Sequence, residues 1–269
     1  MKTALIQMNS QNDKEANIRD GIALIERAVA EEKPDMVVLP EMWTFHGGTA
    51  QDRRDAAERV PDGPVYGKMA DLAAKHGIIL HAGSMLEVAS NGKVHNTTLV
   101  FGRDGSQLAL YRKIHLFDIV APDGTKYLES EAVEPGRDIV TYEVDGITVG
   151  CAICYDIRFP ELFRRLRDAG AQVIVLPAAF TLMTGKDHWE VLARARAIET
   201  QTYFLAVGQV GTYDGGKKAT WGHTMAIEPW GAVVAQMPDR VGYVCTRFDW
   251  ESQARIRQNV PIQTHRVLD

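Results

Sequence analysis

Short apolar runs alternate with amphipathic stretches from one end of this chain to the other, and that alternation restricts the fold more than any other feature. Residues 3–8 read as a buried strand. Ile18, Ile22, Ile25 and Val29 then recur at spacings of four and three, which lays an apolar stripe along one side of a helix. Residues 36–39 read as a second strand, closed by Pro40. A helix over 65–75 leads through Gly77 into a strand at 78–83, and strands at 96–101 and 108–112 join across the Arg103-Asp104-Gly105 turn. Residues 139–144 and 147–153 flank Asp145-Gly146, the strongest short hairpin signal in the chain. A helix at 160–169, a strand at 173–176, a helix at 188–201 and strands at 203–210, 224–227, 233–236 and 241–248 complete the pattern. Hairpins mixed with crossover helices specify an α/β fold with mixed sheets.

With 269 residues, 45% of them apolar and 24% charged, the chain is long enough to bury a sizeable core. No linker, low-complexity tract or repeat interrupts it, so residues 1–269 are expected to form one continuous domain. A net charge of −5 and a pI near 5.9 lack the electrostatic footprint of a nucleic-acid binder, and they argue equally against a general affinity for anionic membranes. No stretch approaches the roughly 18 apolar residues of a membrane span, and the start turns polar after Met8, too early for a secretory segment; a cytoplasmic location is expected. Three cysteines, an odd number at low density, argue against a disulfide-stapled scaffold.

Three strand ends carry candidate chemistry. In Ile153-Cys154-Tyr155-Asp156-Ile157-Arg158-Phe159-Pro160, a strand runs into Cys154 and a helix opens at Pro160, so the cysteine sits on a turn that exposes a nucleophile. The partial positive charge of a helix N-terminus is expected to favour its thiolate. Cys151 and Cys245 lie inside strand patterns and read as small buried hydrophobes. Cys151 and Cys154 also spell C-x-x-C, but a redox pair has both sulfurs at the start of a helix, and Cys151 lies back in the strand.

Glu41 follows the apolar strand in Val38-Leu39-Pro40-Glu41-Met42-Trp43, where partial desolvation suits a carboxylate to proton transfer; the plain alternative is a solvated loop glutamate. Lys113, in Tyr111-Arg112-Lys113-Ile114-His115-Leu116-Phe117-Asp118, ends another strand, where it is either part of a solvated edge or a fixed positive charge for an oxyanion. The histidines show neither H-x-x-x-H nor H-E-x-x-H spacing, which disfavours a metal hydrolase.

Glu41, Lys113 and Cys154, in that order and in these contexts, resemble the carbon-nitrogen hydrolase (nitrilase) superfamily over nearly the full length of the chain. The likeness extends through Thr184-Gly185-Lys186-Asp187-His188-Trp189-Glu190 and Trp221-Gly222-His223-Thr224, and within the superfamily these segments look most like omega-amidases and related bacterial amidases. The resemblance implies a four-layer α-β-β-α sandwich with two mixed β-sheets, dimerised through one helical layer. It implies Cys154 as nucleophile, Glu41 as general base, and Lys113 as oxyanion donor with the main-chain N–H of Tyr155. A second glutamate after the lysine is implied too; Glu129 matches best by position, with Glu131 and Glu134 close by.

The expected reaction is hydrolysis of a small carboxylated ω-amide through a thioester, with release of ammonia and no metal or cofactor. Arg158 is either a clamp for the substrate carboxylate or the partner of Asp156 or Glu161 in an internal ion pair. Phe180, Trp189 and Trp43 are candidates for the pocket wall, although such aromatics are commonly core. N-carbamoyl compounds, deaminated glutathione and nitriles are reachable with the same Glu-Lys-Cys set. A non-catalytic scaffold, the reading from another class, has no need of that trio. The partners expected are a small amide and further copies of the chain, a homodimer or higher homo-oligomer.

Overall fold

The apolar runs become strands and the amphipathic stretches helices in a computed structural model, which describes residues 1–121 and 124–268. The first half runs β1 (Lys2–Gln7), α1 (Lys14–Glu32), β2 (Met36–Val38), α2 (Ala50–Ala56), α3 (Pro64–His76), β3 (Ile79–Val88), β4 (Val94–Phe101) and β5 (Gln107–Arg112). A small hairpin, β6 (Asp118–Val120) and β7 (Lys126–Leu128), leads to β8 (Thr141–Val144), β9 (Ile147–Cys151), α4 (Pro160–Asp168) and β10 (Val173–Ala178). The remainder is α5 (Leu182–Thr200), β11 (Tyr203–Gly208), β12 (Val210–Tyr213), β13 (Lys218–Trp221), β14 (Met225–Ile227), β15 (Val233–Gln236), β16 (Gly242–Arg247) and α6 (Trp250–Asn259).

Two six-stranded sheets form, ordered β16-β1-β2-β3-β4-β5 and β15-β14-β11-β10-β9-β8. Each is mixed: β1, β2 and β3 run parallel, as do β9, β10 and β11, and antiparallel strands flank both sets. Successive side chains of a strand point to opposite faces, and the two cores follow that period. Leu5, Met36, Val38 and Ile79 join a cluster with Val149, Cys151, Val173 and Val175 of the second sheet, whereas Ala4, Ile6, Val37 and Leu80 pack with Ile18 and Ile25 of α1 and Met69 and Leu72 of α3. On the far side α4 and α5 cover the second sheet through Phe163, Leu166, Ala193 and Ala197. The layers are therefore α-β-β-α. A hydrogen-bonding contact between His81 Nδ1 on β3 and the Tyr142 hydroxyl on β8, 3.2 Å, crosses between the sheets.

Helix ends follow local chemistry. Asp13 accepts from Ala16 N at the start of α1, and Pro64 and Pro160 occupy the first turns of α3 and α4. The expected strand 203–210 is instead two strands, because the chain bends after Gly208 and β12 turns away to pair with β13. The helix expected from 188 begins earlier, at Leu182. Helices α2 and α6 have no counterpart in the apolar pattern: α2 buries no residue and is held by a Thr49–Asp52 capping box, and α6 buries only Gln253. Among the described residues, no helix is long and apolar enough to cross a membrane.

Candidate active site

The end of β2 is fixed by its neighbour β3. Leu39 N donates to His81 O, Ser84 N to Pro40 O, and Met42 N to the Ser84 hydroxyl. Gly83 makes the approach possible: its φ is +55°, and a Cβ there would lie 2.1 Å from the Pro40 carbonyl oxygen. This turn buries Glu41 and satisfies its carboxylate from three sides. Oε1 accepts from Asn96 Nδ2 at 2.9 Å and Lys113 Nζ at 3.0 Å, and Oε2 accepts from Ala179 N at 2.7 Å.

Lys113 leaves the end of β5, with its N–H donating to Asn96 O on β4. Besides Glu41, its ammonium reaches both oxygens of Glu129, at 3.1 and 2.8 Å, and Phe117 N donates to Glu129 Oε2 at 2.6 Å. Burial opposes the charge on Lys113, but the Glu129 and Glu41 carboxylates outweigh it and hold the ammonium well above the ordinary lysine range. Of the three glutamates the sequence left open, only Glu129 touches this lysine. Glu131 lines the cleft, and Glu134 accepts from Asn91.

Cys154 opens a 3₁₀ turn, Cys154–Arg158, that precedes α4, and its φ is +47°. The left-handed backbone is braced by Asp156, which accepts from Ile153 N at 2.8 Å and from the Tyr111 hydroxyl at 2.6 Å. The thiol differs from the sequence expectation. Burial first, and Glu41 second, push it well above the ordinary cysteine range, while Lys113 pulls it down. Helix polarity alone does not set this thiol, because the sulfur is buried and faces a carboxylate. Cys151 is buried, its thiol raised by that burial, and Cys245 is partly buried on β16.

Glu41, Lys113, Glu129 and Cys154 thus converge on one cleft of about 330 Å3. Tyr155 and Phe180 also line it, but Arg158 and Trp189 do not. Arg158 lies against two of those lining rings, 5.7 Å from the Tyr155 ring centre and 5.4 Å from that of Phe180, with Nη2 3.3 Å from His188 Nδ1. It pairs with neither Asp156 nor Glu161; Asp156 is already occupied by Tyr111, His115 and Ile153. Trp189 is wholly buried, packs behind Phe180 and donates Nε1 to His223 O, so it is core rather than wall. Trp43 is likewise wholly buried and outside the cleft. Sequence reasoning missed Asn96, the Ala179 N–H, Asp156, and the group formed by His46, Arg53 and Tyr213. Asn96 and Ala179 meet Glu41 only through sheet pairing and strand ends, which no local pattern encodes. Asp156, two places after the cysteine, reads in the sequence only as a candidate partner for Arg158; its bonds to Tyr111 and His115 arise from the fold.

The family model described as carbon-nitrogen hydrolase matches residues 2–258. The Dictyostelium discoideum protein named deaminated glutathione amidase is 38% identical over 276 residues, covering all of this chain and 94% of that one. The mouse protein named omega-amidase NIT2 is 37% identical over 268 residues, covering all of this chain and 95% of that one. The solved NitFhit protein of C. elegans superposes with a TM-score of 0.91 at 39% identity, covering 99% of this chain; this chain spans only 65% of that one. The chain belongs to the carbon-nitrogen hydrolase family, within the nitrilase superfamily.

Proposed function

We propose that residues 1–269 form one catalytic domain, a cysteine amidase that hydrolyses the C–N bond of a small carboxylated ω-amide such as succinamate or 2-oxoglutaramate. The observation that carries this reading is the enclosed cluster itself. One ammonium is bonded to two carboxylates, and one of those carboxylates acts on a cysteine thiol. The names of the omega-amidase and deaminated glutathione amidase relatives support an amide as substrate.

In the proposed reaction Cys154 Sγ bonds to the amide carbon as its proton passes to Glu41. Lys113 and the Tyr155 N–H stabilise the oxyanion. Collapse breaks the C–N bond, and Glu41 returns the proton to the departing ammonia. Glu41 then takes a proton from water as the water attacks the thioester, and the C–S bond breaks as that proton returns to the thiol. Glu129 keeps Lys113 charged and in place. Arg158, which has no carboxylate partner among the described residues, is the proposed clamp for the substrate carboxylate beside Tyr155 and Phe180.

The same reading places the enzyme in the cytoplasm as a homodimer or higher homo-oligomer. Val191 and Ile198, seven residues apart on α5, and the neighbouring Trp230 stay exposed on a single chain, which supports assembly through that helical layer. Ammonia release across succinamate, 2-oxoglutaramate, an N-carbamoyl amino acid and an aliphatic nitrile tests the activity. Turnover concentrated on the carboxylated amides is expected, and turnover of nitriles alone overturns the reading.

A further inference from the structure

Cys154 does not command the only charged neighbourhood in this cleft. The charges acting on the thiol are those of Glu41 and Lys113, whereas those acting on His46 are Arg53, Asp214 and Lys218. His46 stacks on Tyr213 with ring centres 4.0 Å apart, and both line the cleft together with Gly47, Arg53 and Lys218. Two of the three potential cations here are already accounted for. His46 is buried, and that burial, with Arg53 beside it, pushes it down to about 4, so it is neutral near pH 7. Lys218 pairs with Asp214 at 3.1 Å and lies against the Tyr213 ring.

Arg53 is different. Its Nε donates to the Gly47 carbonyl at 3.2 Å, which anchors the guanidinium, and it forms no ion pair with a carboxylate among the described residues. With Nε engaged, the two terminal nitrogens remain as an end-on fork, the geometry that takes a carboxylate through two parallel hydrogen bonds. The guanidinium is half-buried, where such a bond is screened less than at the surface. The cleft volume, about 330 Å3, leaves room beyond a four-carbon monoamide.

We propose that Arg53 is a second carboxylate subsite of this cleft, and that it selects amides bearing a second carboxylate besides the one nearest the scissile group. This deepens the amidase reading and rests on it for turnover, but the binding claim stands separately. It is tested by calorimetry on Cys154→Ala protein, which removes turnover, with succinamate (one carboxylate) and N-succinylglycine (a carboxylate on either side of an amide) as probes. N-succinylglycine is expected to bind at least about tenfold more tightly, the scale of one charge-assisted hydrogen bond. Adding Arg53→Gln is expected to bring the ratio of the two dissociation constants close to one, and Arg53→Lys, which keeps the charge without the fork, to give an intermediate ratio. Equal binding of the two probes before Arg53 is changed, or a ratio untouched by both substitutions, overturns the subsite. Failure of the amidase reading registers elsewhere, as no ammonia from succinamate and no glycine from N-succinylglycine with the unsubstituted enzyme.

Discussion

Asp156 accepts both the main-chain N–H of His115, at 3.1 Å, and its side-chain Nδ1, at 2.7 Å. His115 stands two residues after Lys113 and Asp156 two residues after Cys154, so this pair fastens the lysine's strand end to the cysteine's turn. Asp156→Asn is expected to leave a folded protein in which kcat falls about a hundredfold while KM changes little, since misplacing a reacting group by about 1 Å costs on that order. Circular dichroism together with steady-state kinetics checks this. A variant whose KM alone changes assigns Asp156 no part in positioning.

Cys154→Ala is expected to abolish ammonia release without loss of fold, whereas Cys151→Ala and Cys245→Ala retain most activity. Cys151 packs within the inter-sheet core, so its truncation reads out as a lowered melting temperature. Substantial turnover by purified Cys154→Ala protein contradicts the proposed nucleophile.

Glu41→Gln and Lys113→Met are each expected to lower kcat and kcat/KM together, by at least about 10²-fold for the lysine on the scale of a lost oxyanion donor. Glu129→Gln is expected to act through Lys113, weakening the interactions that hold it charged and placed. EDTA leaves the rate unchanged in a mechanism whose fixed positive charge is an ammonium. A pure KM effect, or activity lost to chelation, contradicts the roles assigned.

Acid is expected to destabilise the fold through two buried histidines. Burial pushes His81 down to about 3 and, with Arg53, His46 down to about 4, against about 6.5 when unfolded. The unfolded chain therefore binds these protons first. The stability is present above pH 6.5 and is lost as pH falls towards 4 and 3, at about 1.4 kcal/mol per pH unit for each group. Urea unfolding at pH 7.5, 6 and 5 is expected to show a shallower pH dependence for His81→Gln than for the unsubstituted protein. Parallel curves refute the contribution of His81.

Arg158→Lys is expected to erase most of the preference for succinamate over butyramide, because it keeps the charge and loses the planar fork. The comparison is of kcat/KM for the two substrates in both proteins. A preference that survives the change removes Arg158 from the carboxylate site.

Much of the architecture was legible because burial writes a period into the chain. Residues of β1 and β2 alternate between two cores, and the α1 stripe faces only one, so both elements announce themselves. Helices α2 and α6 bury almost nothing and are held by caps, which leaves no stripe to read. In the site, Glu41, Lys113 and Cys154 each follow an apolar strand, a local signal. That Asn96 and the Ala179 N–H complete the Glu41 carboxylate depends on which strands become neighbours, a fact of topology. The raised thiol has no local signature: helix polarity is a local property, whereas burial beside a carboxylate carried by the other sheet is not.

The sandwich also makes the site a joint property of both sheets. Glu41 and Lys113 hang from strands of one sheet and Cys154 from a strand of the other, with the Ala179 N–H supplied by the same sheet as the cysteine. A nascent or half-folded chain carries a cysteine with no base beside it. The carboxylate and the sulfur meet only where the two sheets pack, through residues far apart in sequence. Turnover that needs this pair therefore reports on the mated sandwich, whereas thiol reactivity alone does not, because an exposed cysteine in an unfolded chain ionises more readily than the buried one.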